Sequence, residues 1–67
     1  MYRFVRVGDN SVVLMGYEGD FDTIVKGYDG NLETIIKPYK DDGYKVIIFC
    51  SDVDKFVVFE YDRVKIF

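Results

Sequence analysis

The sequence predicts an all-β fold: an antiparallel meander of six to seven short strands, curled into a sheet or a small barrel. Three observations lead there. Turn residues recur about every eleven positions, the segments between them are rich in β-branched and aromatic residues, and the chain has room for only one core. Stacking Gly8 to Tyr17, Gly19 to Tyr28 and Gly30 to Tyr39 shows the rhythm: GDNSVVLMGY, GDFDTIVKGY and GNLETIIKPY. Each opens on Gly with Asp or Asn, passes through aliphatic residues and closes on Gly-Tyr or Pro-Tyr.

On this reading the strands fall near residues 2–7, 11–17, 22–28, 33–39, 44–50 and 55–61, with a tail strand at 63–67. Asp41-Asp42-Gly43 and Ser51-Asp52-Val53-Asp54 supply the later turns. The alternative is an α+β fold with a helix near residues 31–40, capped by Asn31 and carrying an apolar stripe of Leu32, Ile35 and Ile36. Pro38 speaks against that helix, because an interior proline removes a hydrogen bond and clashes with the preceding turn.

Four-residue loops set Tyr17 opposite Asp22, Tyr28 opposite Glu33, Tyr39 opposite Tyr44 and Cys50 opposite Lys55. Side-chain alternation then gathers Val12, Leu14, Gly16, Thr23, Val25, Gly27, Thr34, Ile36 and Pro38 on an uncharged core face. The same register pairs Phe49 with Phe56, Ile47 with Val58 and Lys45 with Glu60, again on the core side. It leaves Val46, Ile48, Val57 and Phe59 on the opposite side, so the last hairpin is apolar on both faces. Its second face needs a cover: barrel closure by Tyr2, Phe4, Val5 and Val7, a second copy of the chain, or a partner.

Sixty-seven residues from Met1 make one β domain, residues 1–67. A net charge of -3 disfavours a nucleic-acid partner, which calls for clustered Lys and Arg. The lone Cys50 excludes an internal disulfide and suits a reducing cytoplasm. No apolar run approaches bilayer length, so no membrane association is expected. With no histidine and one cysteine, neither triad chemistry nor a structural zinc site is expected; the reading is no enzyme, no cofactor and no metal. The paired acids Asp20 with Asp22, Asp41 with Asp42 and Asp52 with Asp54 read as turn formers.

The expected function is a non-catalytic protein-binding module. Tyr17, Tyr28 and Tyr39 are candidate contacts because Tyr combines area with a hydroxyl at low entropic cost. Tyr44, Phe59 and Tyr61 are expected to dock on the partner, while Asp20, Asp41 and Asp52 meet a basic surface and speed association. In shortness, acidity and richness in Tyr, Phe and Asp, the chain resembles in general style the small proteins with which phages and mobile elements block a host enzyme or defence complex. That resemblance implies inhibition by occlusion. Two alternatives stand beside it: a small-barrel binder of single-stranded nucleic acid, stacking bases on Tyr17, Tyr28 or Tyr39 beside Lys26 and Lys37, and a structural subunit that forms a homodimer or larger assembly.

Overall fold

The computed structural model describes residues 2–67. The chain enters through β1 (Arg3–Arg6), turns at Gly8-Asp9-Asn10, and returns antiparallel as β2 (Ser11–Met15), the Val7 N–H donating to the Ser11 carbonyl at 3.0 Å. Two helices follow, α1 (Phe21–Lys26) and α2 (Gly30–Asp41). Then β3 (Lys45–Cys50), β4 (Lys55–Glu60) and β5 (Arg63–Ile66) complete a five-stranded sheet in the order β1-β2-β3-β4-β5. All neighbours are antiparallel except β2 and β3, which run parallel. Adjacent parallel strands require a crossover of a dozen or more residues, and the two helices are that crossover.

The fold is thus α+β, the alternative rather than the all-β meander. The strands expected at 22–28 and 33–39 are helical, and the sheet is open rather than closed into a barrel. The second and third eleven-residue segments repeat helix punctuation, not hairpins. In α1, Asp22 pairs with Lys26 at i,i+4, and Gly27 stops the helix in the left-handed region at φ 74°. The Tyr28 N–H reaches back to the Thr23 carbonyl and the Gly27 N–H to that of Ile24, which satisfies carbonyls the helix end would otherwise strand.

Asp29, not Asn31, caps α2, its Oδ1 accepting from the Leu32 N–H at 3.1 Å. Leu32, Ile35, Ile36 and Tyr39 form a stripe at i, i+3, i+4 and i+7, with Leu32 and Ile36 fully buried. Pro38 lies inside the helix at an exposed position. An interior proline costs about 3 kcal/mol, whereas full burial of an Ile or Leu side chain contributes about 1.5–3 kcal/mol each. Packing on the sheet outweighs the proline.

The helices cover one face of the sheet. Val12, Leu14, Val46, Ile48, Cys50, Val57 and Phe59 point into it and form the core with Ile24, Leu32 and Ile36. Within the last hairpin the register matches the sequence expectation: Phe49 opposite Phe56, Ile47 opposite Val58, Cys50 opposite Lys55. Its faces are reversed. Val46, Ile48, Val57 and Phe59 are the buried set, and Ile47, Phe49, Phe56 and Val58 lie on the uncovered side. The cross-strand pairings of Tyr17 with Asp22 and Tyr28 with Glu33 do not form, since helices replace those strands, and Tyr39 meets Tyr44 at the end of α2 rather than across a sheet, the Tyr44 N–H donating to the Tyr39 carbonyl at 2.9 Å.

Candidate functional site

The side of the sheet away from the helices is organised in rows set by strand register. The middle row is aliphatic, running Val5, Val13, Ile47, Val58 and ending on Lys65. One flanking row is polar, with Ser11 opposite Lys45 and Glu60 opposite Arg63. The other flanking row is aromatic: Arg3 opposite Met15 on one side, and on the other Phe56 between Phe49 and Phe67.

Phe49 and Phe56 meet with ring centroids 5.0 Å apart, yet remain 44% and 45% exposed, and Phe67 is 71% exposed. Met15, Val5 and Val7 are exposed as well. Single exposed apolar residues are ordinary, whereas here a contiguous apolar set spans several strands. The ionisable side chains on this side are Arg3, Lys45, Arg63 and Lys65 against Glu60, with Lys65 and Glu60 3.6 Å apart. In a chain of net charge -3 this face is locally basic. The acids gather elsewhere, in the helical layer and the turns: Glu18, Asp20, Asp22, Asp29, Glu33, Asp41 and Asp42 all lie between β2 and β3.

The residues singled out from sequence are dispersed. Phe59 is a core residue, 6% exposed beneath Lys40, and cannot dock on a partner without unfolding the sheet. Tyr17 donates its hydroxyl to Asp29, holding the residue that caps α2. Tyr39 stacks on Phe4 at 4.1 Å and meets Tyr44 edge-on at 5.9 Å, while Tyr44 accepts a hydrogen bond from Arg6, whose guanidinium lies over its ring. These three tyrosines fasten the crossover to the sheet. Tyr28, at 77% exposure, and Tyr61, in the turn between β4 and β5, are open to solvent.

Asp41 pairs with Lys37 on α2, and both line a shallow hollow with Tyr61 and Asp62. Asp52 accepts from the Phe21 N–H at 3.1 Å, so the turn after β3 caps α1 where Asp20 makes no side-chain cap. Asp20 and Asp52 also lie near Cys50, whose thiol is pushed above its ordinary pKa first by burial and then by these two carboxylates. Lys26 and Lys37 are ion-paired on separate helices, so the base-stacking face of three tyrosines and two lysines is not assembled.

Sequence reasoning missed Phe49, Phe56 and Phe67, having placed Phe49 and Phe56 in the core. A signal was present. Lys45 and Glu60 share their face with Ile47, Phe49, Phe56 and Val58, whereas the Val46–Phe59 and Ile48–Val57 pairs are uncharged, and the charged side of a strand pair is the solvent side. Among the described residues no cluster of Cys, Asp and Glu is placed to hold a metal ion, and no helix is long and apolar enough to cross a membrane. No family model, no curated protein and no solved structure matches this chain.

Proposed function

We propose that this protein is a non-catalytic binding module that engages another protein through the uncovered face of its sheet. One observation carries the reading: the helices satisfy one side of an amphiphobic sheet, and the other side leaves Phe49, Phe56, Phe67 and Met15 in water beside Ile47 and Val58. Aromatic residues and Met are enriched in interface centres, and the charged row along one border matches the polar rim that such centres carry. The mode of action we propose is occlusion, the sheet covering a functional surface of an enzyme or defence complex. Phe67, which follows β5, closes the aromatic row at the edge of the sheet.

The test is paired affinity purification from the native host's lysate, using the tagged chain and its Phe49→Lys/Phe56→Lys variant. Both positions are solvent-exposed, so the variant retains its circular-dichroism spectrum and cooperative melt. The expected result is a stoichiometric protein recovered by the first and lost by the second. Equal recovery by both, or recovery of no stoichiometric protein, overturns the proposal.

A further inference from the structure

We infer that β5 accepts a sixth strand: an extended segment of a partner protein in which acidic and aliphatic residues alternate. The inference deepens the protein-binding reading above and rests on it.

Phe56 and Phe67 exchange two backbone hydrogen bonds, each 2.9 Å. Reciprocally bonded pairs alternate along an antiparallel ladder, so the other bonded pairs are Val58 with Lys65 and Glu60 with Arg63. The N–H and C=O groups of Val64 and Ile66 therefore point away from β4. Because β5 is the last strand in the sheet, they point along a free edge. Their side chains are bare too: Val64 is 42% and Ile66 46% exposed on the helix side, beyond the cover of α1 and α2. On the other side of the strand stand Arg63 and Lys65.

The opposite edge is different. By the same alternation β1 directs the backbone groups of Phe4 and Arg6 outward, but Phe4 packs under Tyr39 and Arg6 is held by Tyr44. On β5, by contrast, the residues with outward backbone groups, Val64 and Ile66, themselves carry uncovered aliphatic side chains.

Charge selects the occupant. In a two-fold pairing of β5 with a second copy, the two registers that use the strand along its length set Arg63 opposite Lys65, or Lys65 opposite itself. Like charges directly opposite are destabilising, and basic side chains on an edge strand are a recognised block to self-pairing. An incoming strand with Asp or Glu facing Arg63 and Lys65 removes that opposition. Residues directly opposite share a face, so its alternate positions fall beside Val64 and Ile66 and are aliphatic. Main-chain bonds then supply affinity and the alternation supplies selectivity.

The inference is tested by titrating the full, isotope-labelled chain with a capped peptide of about eight residues, a usual strand length, alternating Glu and Val. A Lys and Val peptide of the same order, a Glu and Val peptide of shuffled order and a single-stranded oligothymidine serve as comparators. The expected result is slowed amide exchange at Val64 and Ile66 with the alternating acidic peptide, and affinity at least roughly tenfold above the basic one, falling with salt. Val64→Pro removes an outward N–H without breaking a bond to β4, as edge strands tolerate, and is expected to abolish peptide binding while leaving the fold intact. Equal binding of the acidic and basic peptides, preference for the oligothymidine, no binding by any probe, or protection of Val64 and Ile66 that rises with protein concentration alone each overturn the inference. Peptide binding across Phe49 and Phe56 that Val64→Pro leaves unchanged overturns the edge assignment while the face reading stands. The paired purification above decides that reading independently.

Discussion

Val46, Ile48 and Cys50 alternate along β3 with Lys45, Ile47 and Phe49, and the two sets meet different fates on the same strand. The first lies under α1 and α2 and is sealed from water; the second faces outward, with Phe49 as exposed as a surface residue. Apolar content alone does not separate them, since both sets carry large apolar side chains; the one charge on the strand, Lys45, lies in the outward set. What separates them is the crossover between β2 and β3, whose two helices settle on one side only. The covered side reports on stability, and the uncovered side on the proposed contact.

The largest effect expected from this contrast comes from neighbouring isoleucines. Ile48→Ala empties a site that is 1% exposed and should cost about 2–5 kcal/mol, as buried Ile to Ala changes do. Ile47→Ala, half-buried on the other side, should cost under half as much in urea denaturation. Equal losses would mean that the outer face is also closed, by self-association, and sedimentation would then show a dimer.

Next in size is Pro38, which bears on how the covering layer is held. Since α2 runs through it on an exposed turn, Pro38→Ala restores an interior hydrogen bond and should raise stability by up to about 3 kcal/mol. A destabilised variant would show that the proline sets the path of the chain into β3. Asp29→Ala removes both the cap on the Leu32 N–H and the acceptor of the Tyr17 hydroxyl, and should lower stability by about 0.5–2 kcal/mol. Tyr17→Phe separates the two roles: it leaves the cap in place and should lose less.

How much of this was legible in the sequence follows the same division. The pairing of β3 with β4 could be read in full, because Phe49 with Phe56 and Ile47 with Val58 are local partners across one short turn. The tyrosines could not be assigned. Tyr17, Tyr39 and Tyr44 are fastened by residues far along the chain, Asp29, Phe4 and Arg6, and nothing at their own positions announces it. The two helices were obscured by β-branched runs such as Thr34-Ile35-Ile36 and by Pro38, local preferences that packing on the sheet overrides. With those segments misassigned, alternation told which residues share a face, and only the charges on Lys45 and Glu60 told which face is uncovered. Counting in twos from Val12 through two supposed strands carried the core label to Phe49 and Phe56, when it belongs to Val46 and Phe59.

The smallest effect concerns the end of the covered face, where Cys50 lies buried beside Asp20 and Asp52. Burial, and then the two carboxylates, disfavour the thiolate, so its pKa in the folded chain exceeds that of the unfolded chain, where a thiol titrates near about 8.5. The unfolded state therefore releases its proton first as pH rises. The neutral thiol's contribution to stability is whole below the unfolded pKa and declines as pH climbs toward the folded one. Denaturation midpoints should consequently hold steady from pH 7 to about 8 and fall above that, and Cys50→Ala should remove this part of the alkaline decline. Reaction with a thiol reagent at pH 7 should be slow in the native chain and fast after unfolding, since the thiolate is the reacting species and the native site both hides and protonates it. Fast native labelling would show that the covered face opens at its Cys50 end, where the turn after β3 holds the first N–H of α1 through Asp52. Asp52→Ala is the variant that should bring such opening about.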